Sequence, residues 1–326
     1  MHYLPVVLCS FLLGVVFLIF FKRLASRCNI LTPNKIPLIG GIGMGSSFIL
    51  TCLAAFIFYK TSFSYLIGII ISASIMLAFG IFDDKKELSV RAKFIAQIVS
   101  VSLLILFGVR TNIVYLGGFL NIIITFIWVI GITNAFNLLD IMDGLAGGIA
   151  VIVSLSFAVI SFLNGDMNVF ILSLALAGAT LSFLIYNLPP AKIYMGNSGS
   201  HFLGFTLAAI ALIISYASLE SKAALLSPLV ILGFPIFDTA FLILMRLRKK
   251  KLPFHKSNDH LALRFLALGY SKARVLLIML SLGLFFSASG VIISRAHGLL
   301  ISMIIIFVLF VSIIVTGKMS RVSIHG

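Results

Sequence analysis

The chain has 326 residues, of which 61% are hydrophobic and only 10% charged, and its mean hydropathy is +1.22. A soluble globular domain carries about 25% charged residues, so this composition excludes one and requires lipid as the solvent. The formal net charge of +15 reads first as a topology signal, with attraction to anionic headgroups second, and it points away from a nucleic-acid partner.

Apolar runs of roughly 17 to 20 residues, each able to cross about 30 Å of hydrocarbon as a helix, recur along almost the whole chain. They predict an all-α polytopic membrane bundle of about 11 transmembrane helices, at 3–21, 38–59, 64–82, 94–109, 117–133, 145–163, 168–186, 201–218, 224–245, 274–294 and 298–316. The first run lacks a basic leader and continues directly into Lys22 and Arg23, the flank of a retained span rather than of a cleaved signal peptide. No repeat, low-complexity run or linker divides the sequence, so residues 1–326 are expected to form a single domain.

Charged side chains cost roughly 2.5 to 3.5 kcal/mol at a helix centre, so Lys and Arg collect in loops. With the N-terminus outside, 20 of the 24 basic residues fall in inner loops and only Lys60, Arg110, Lys222 and Arg295 fall outside. The positive-inside rule then puts the C-terminus in the cytoplasm. Cys9, Cys28 and Cys52 stand singly, without disulfide or metal spacing.

The chain has nine acids, and seven lie on the expected cytoplasmic side. The first group follows helix three: Asp83, Asp84 and Glu87, with Lys85, Lys86, Arg91 and Lys93 close behind. Adjacent carboxylates need cations, metal or a raised pKa; a solvated loop neutralised by its own lysines is the alternative.

The second group follows helix five and holds Asn134, Asn137, Asp140, Asp143 and Gly144. If this stretch stays helical, Asn137, Asp140 and Asp143 or Gly144 share a face able to hold a hydrated cation. Magnesium suits such oxygen donors, since it keeps waters and uses one or two carboxylates with substrate phosphates. The other reading has the asparagines cap or cross-link helices.

Residues 191–201 form a Gly- and Ser-rich turn opening helix eight, with Lys192, Gly196, Asn197, Ser198 and Ser200. Backbone amides there attract phosphate oxygens, or Ser198 or Ser200 simply caps the helix. Asp238 lies eight residues before Arg246, inside an apolar run, and the basic stretch beyond leads through His255 to Asp259 and His260. The glycines at 40, 41, 43 and 45 precede no Gly-Lys-Ser/Thr and read as a close helix-packing face. Trp128 reads as an interfacial anchor or packing, while His2, His297 and His325 lie outside any cluster.

Taken in order, Asp83-Asp84 with Leu88-Ser89, residues 134–145, Met195-Gly196 with Gly199-Ser200, and residues 235–260 resemble the polyprenyl-phosphate N-acetylhexosamine-1-phosphate transferase family over nearly the whole chain. Asn134-Ala135-Phe136-Asn137 and His260-Leu261 are similar to the N-acetylglucosamine-1-phosphate branch that serves antigen and teichoic acid synthesis. The resemblance implies transfer of a sugar 1-phosphate from a UDP-sugar to polyprenyl phosphate with release of UMP, at a cell membrane with the site facing the cytoplasm. It implies Mg2+, with Mn2+ as a substitute, and leaves room for a homodimer.

By the same resemblance Asp83, Asp84, Asp140 and Asp143 are the catalytic set, with Asp83 the candidate proton acceptor. Asn134, Asn137, Lys93, Lys192, Gly196, Ser198 and His260 bind substrate, and Asp84, Asp140 and Asn197 bind metal. Two departures stand out: Asn197 replaces an acid that the family uses on magnesium, and Ala262 and Leu263 stand where two further histidines commonly follow His260. They keep open a non-catalytic paralogue that binds UDP-sugar or lipid phosphate. A membrane transporter is the rival from another class.

Overall fold

A computed structural model describes residues 3–28, 31, 36–59, 64–113, 116–214, 226–252 and 258–322. Within them the chain is all-helical: α1 (Leu4–Cys28), α2 (Gly40–Tyr59), α3 (Ser64–Lys85), α4 (Val90–Leu106), α5 (Gly118–Leu139), α6 (Leu145–Leu163), α7 (Met167–Asn187), α8 (Gly196–Ile213), α9 (Ser227–Ile231), α10 (Gly233–Arg248), α11 (Leu261–Ala267), α12 (Lys272–Ile293) and α13 (Leu299–Met319). Eight of these, α1, α2, α3, α5, α6, α7, α12 and α13, are long and apolar enough to cross a membrane. His2, His255, His325, Lys35, Lys60, Lys222 and Glu220 lie outside the described residues.

The helices fall into two compact units, Met1–Ile214 and Ser215–Gly326. In the first, α8 is the central helix, buried continuously from Ser198 to Ala211. Helices α2, α3, α5 and α6 pack on it, and α7 packs on α1, α2 and α6. Small residues permit the close crossings: a Cβ on Gly204 would lie 2.7 Å from Thr133 Cα of α5. The glycines of α2 do allow close packing, though on several sides rather than one face: Gly41 meets Gly199 of α8, Gly43 meets Leu18 of α1 and Gly45 meets Leu77 of α3, while Gly40 and Gly41 donate their amides to the Tyr194 and Met195 carbonyls just before α8. Trp128 serves packing too, donating Nε1–H to Ala208 O across the α5–α8 contact at 3.1 Å.

Local capping explains several boundaries. Ser89 accepts from Ala92 N at the start of α4, Asp166 from Val169 N at α7, and Ser271 from Arg274 N at α12, each satisfying an amide that the first helical turn leaves unpaired.

In the second unit, the apolar run expected as one helix at 224–245 is broken at Leu232 into α9 and α10. The cause lies in Pro235, which has no N–H to give to the carbonyl four residues back. That carbonyl, Ile231 O, is served instead by Ser287 Oγ of α12 at 3.0 Å, and Ser227 Oγ donates back to Gly290 O at 2.5 Å. Helix α12 thus supplies the polar partners that a Pro-interrupted helix loses in lipid.

Candidate active site

Helix α5 stops at Leu139, with Asp140 as its C-cap at φ −79° and ψ 54°. Residues 140–144 then turn, and Gly144, at φ +79°, leads into α6. The helical face expected for Asn137, Asp140 and Asp143 therefore does not form. A left-handed residue is far easier for glycine than for any L side chain, and Gly144 is where the chain reverses. The turn nonetheless brings all three side chains to one cavity of about 510 Å3, lined also by Asp84, Gly196, Asn197 and Tyr194.

Asp83 and Asp84 part company at the end of α3. Asp84 turns into the cavity and receives the amides of Asn197 (2.6 Å to Oδ1) and Ser198 (3.0 Å to Oδ2). Its carboxylate thereby caps α8 from another helix, where negative charge meets the positive end of the helix dipole. Gly196 sits directly beneath it at φ +72°. These two amides, expected to cradle a diphosphate, are committed to Asp84, and neither Ser198 nor Ser200 acts as the N-cap.

Asp83 is only 2% exposed. Its Oδ1 receives the Leu88 amide at 2.8 Å and its Oδ2 pairs with Lys93 Nζ at 2.6 Å. Neither Asp83 nor Lys93 lines the cavity; together they hold the α3–α4 turn. Lys192 is exposed and also outside the lining.

The asparagines separate in the same way. Asn134 exchanges two hydrogen bonds with Gln97, at 3.2 and 3.1 Å, and donates to Ile130 O. It cross-links α4 and α5 and does not line the cavity. Asn137 does, and its Nδ2 donates to Asn197 Oδ1 and Ser200 Oγ, both at 3.0 Å. Asn197 is further fixed from below, where buried His201 approaches its carbonyl through Nδ1 at 2.9 Å.

Asn187, not expected at the site from sequence, is part of its frame. Its Oδ1 receives the Gly144 amide at 2.8 Å and its Nδ2 donates to Ile193 O at 2.9 Å, which ties the 140–144 turn to the strand of chain before α8. Asp143 adds to this tie by accepting the Ala191 amide at 3.1 Å. A lone asparagine at a helix end carries no sequence signal of such a role.

Three carboxylates, Asp84, Asp140 and Asp143, thus face one cavity, and no lysine, arginine or histidine is among its described lining residues. Burial first, and then the charges of Asp84 and Asp143, push Asp140 up to about 7. Among the described residues no three His, Cys, Asp or Glu side chains close into a ready-made metal cage. The donor set is all oxygen, with two carboxylates already holding amides. This fits a hard divalent cation held by one or two carboxylates and completed by water and phosphate.

In the second unit, buried Asp259 takes Lys249 Nζ (2.7 Å) and Arg264 Nη2 (2.8 Å) on one oxygen. Burial alone would raise its carboxyl, yet the hydrogen bonds and charges of Lys249 and Arg264 hold it below the usual carboxylate range. His260, the N-cap of α11, is lowered to about 4 by burial and the Arg246 charge, against the opposing pull of Asp259. It is a neutral imidazole at physiological pH. Asp238 is buried in α10 and accepts the Leu261 amide.

Membrane-length helices and an acidic cavity fit a membrane enzyme that works on phosphate groups. The chain belongs to glycosyl transferase family 4, whose family model matches residues 66–215. A "Probable undecaprenyl-phosphate N-acetylglucosaminyl 1-phosphate transferase" of Bacillus subtilis (strain 168) is 33% identical over 283 residues, covering 84% of this chain and 78% of that protein. A decaprenyl-phosphate N-acetylglucosaminephosphotransferase of Mycobacterium tuberculosis (strain ATCC 25618 / H37Rv) is 31% identical over 284 residues, 76% of this chain and 69% of that one. A phospho-N-acetylmuramoyl-pentapeptide-transferase of Listeria monocytogenes is 36% identical over a shorter 180 residues, 47% of this chain and 55% of that protein.

Proposed function

We propose that the chain transfers a sugar 1-phosphate, an N-acetylhexosamine 1-phosphate, from a UDP-sugar to polyprenyl phosphate in a cell membrane, as an early step of a cell-envelope glycan. The observation that carries this reading is the acidic cavity, with no basic residue among its described lining residues. Two phosphate-bearing substrates are repelled by Asp84, Asp140 and Asp143 unless a cation enters with them. Mg2+ is that cation, held by Asp84 and Asp140, with Mn2+ as a substitute. When bound, it neutralises phosphate charge at the reacting centre.

In the reaction a phosphate oxygen of the lipid attacks the sugar-linked phosphorus of the donor. The new P–O bond gives the lipid-linked sugar diphosphate, and the bond to the uridylate phosphate breaks so that UMP leaves with its electron pair. A phosphate monoester is already mostly ionised at neutral pH, so no strong base is needed. This agrees with Asp83 being occupied by Lys93 and the Leu88 amide. Asp84, fixed by two amides, and Asn137, fixed on Asn197 and Ser200, orient the cavity wall.

The chain is read as crossing the membrane eleven times, with α4, α8 and the broken α9–α10 pair added to the eight apolar helices. The N-terminus lies outside and the cavity faces the cytoplasm. The 20-to-4 distribution of Lys and Arg supports this orientation.

A non-catalytic binding paralogue is the second reading, favoured by one observation: Asn197 Oδ1 is spent on Asn137, and an amide offers no charge to the cation. Purified protein with polyprenyl phosphate, Mg2+ and a panel of UDP-sugars decides between them. UMP release that is lost in Asp140→Asn supports the transferase. Donor binding without UMP release from wild type supports the paralogue.

A further inference from the structure

Among the described residues His260 Nδ1 is buried without a hydrogen-bond partner, and the residue is 6% exposed. The backbone around it is tied on both sides. On one side, the next amide, Leu261 N–H, is held by the Asp238 carboxylate of α10. On the other side, Asp259 is gripped by Arg264, and the Arg264 amide donates to the His260 carbonyl at 3.2 Å.

Arg264 is itself 2% exposed and reaches past the loop. Its Nη1 donates to Met319 O at 2.9 Å and to Val322 O at 2.5 Å, while the guanidinium lies over the Phe241 ring at 5.4 Å. Met319 is the last residue of α13. Carbonyls at a helix end have no intrahelical donor and carry the negative end of its dipole, so a buried cation is matched there. One planar fork joins α10, the Asp259–His260 turn, α11 and the carboxyl end of α13. The single ammonium of a lysine cannot hold these directions together. Burying an ion pair is seldom favourable against a well-packed apolar residue, so the arrangement is best understood by what it positions.

We infer that Arg264 is a positioning residue for donor recognition: it fastens the His260 turn to the carboxyl end of α13, making residues 319–322 part of the scaffold of that turn. This rests on the reading of His260 as a donor-side group. The kind of ligand is the nucleoside diphosphate sugar, and the contribution of Arg264 is exerted through His260 and Asp259 rather than by contact.

The test uses the full chain in detergent, as wild type, Arg264→Gln and Arg264→Lys. The first readout needs no turnover: the rate at which diethyl pyrocarbonate acylates His260, followed by peptide mass spectrometry, with buried His201 of the first unit as internal control. Arg264→Gln is expected to raise the His260 rate roughly tenfold while His201 stays protected, with Arg264→Lys in between. Equal His260 rates in wild type and Arg264→Gln overturn the inference, whether or not the chain transfers sugar phosphate. If His201 loses protection in Arg264→Gln, Arg264→Lys decides, and a wild-type His260 rate in that variant is the overturning result. The second readout separates positioning from general damage. The donor KM is expected to rise about tenfold, with kcat and the lipid KM within about twofold; a fall in kcat at unchanged donor KM overturns it.

Discussion

Replacing Gly196 by alanine tests how the cavity is held together. The residue sits at φ +72°, and an added Cβ would lie 2.5 Å from Asp84 Oδ2, closer than real Cβ contacts come. Two effects combine. A left-handed L residue costs about 1–2 kcal/mol, and displacing the Asp84 carboxylate from the Asn197 or Ser198 amide loses a charge-assisted hydrogen bond of about 1.5–3 kcal/mol. Together they amount to roughly 2.5–5 kcal/mol. Gly165 is the control, because it sits at φ +73° with nothing within 4 Å of its Cβ position, so Gly165→Ala carries only the backbone part. Thermal unfolding in detergent should show a clearly larger drop in midpoint for Gly196→Ala. UMP release should fall about a hundredfold in that variant, which corresponds to about 2.7 kcal/mol, and stay near wild type in Gly165→Ala. Equal behaviour of the two variants would refute the capping of α8 by Asp84.

His260, held near 4 against an ordinary 6.5, stays neutral in the folded chain while the unfolded chain takes a proton. Stability is therefore full above pH 6.5 and declines as pH falls toward 4, by on the order of 3 kcal/mol in all; the midpoint-versus-pH curve should flatten in His260→Gln, and an unchanged curve contradicts the assignment. Asn134→Ala leaves the buried Gln97 amide unpaired and should lower stability by about 1–3 kcal/mol with the donor KM unchanged. A raised donor KM at constant stability would return Asn134 to the substrate site.

The helices were legible because lipid demands long apolar runs: each expected run overlaps a described helix, and eight of those helices have membrane length. The break at Leu232 was harder to foresee: Pro228, Gly233 and Pro235 are visible, but whether they kink or sever a helix depends on whether a neighbour can serve Ile231 O, and Ser287 is 56 residues away. The same limit governs the acids. Asp83 and Asp84 are equivalent in sequence, and only the side on which α4 and α8 approach gives one to Lys93 and the other to the cavity. Asp140 and Asp143 reach a common cavity by a turn rather than by the helical face their spacing suggests, because Gly144 reverses the chain before another turn of α5 forms. Asn134 and Asn137, one turn apart, point to different partners, which spacing alone leaves undecided.

The most direct test of the central claim, that the Asp84–Asp140–Asp143 cavity takes two phosphates only with a divalent cation, is transfer of β-32P-labelled UDP-sugar to polyprenyl phosphate in Mg2+ and in EDTA, with wild type, Asp140→Asn and Asn197→Asp. Asp140, pushed up to about 7, gives the expected pH trend: proton and cation compete, so the Mg2+ needed for half-maximal rate falls as pH rises from 6 to 8. Labelled lipid is expected with Mg2+, none in EDTA and none from Asp140→Asn, with a lower Mg2+ requirement in Asn197→Asp, where a charge worth about 4 kcal/mol of gross attraction is added near the cation. Label reaching the lipid equally in EDTA, or from Asp140→Asn at the wild-type rate, would contradict it.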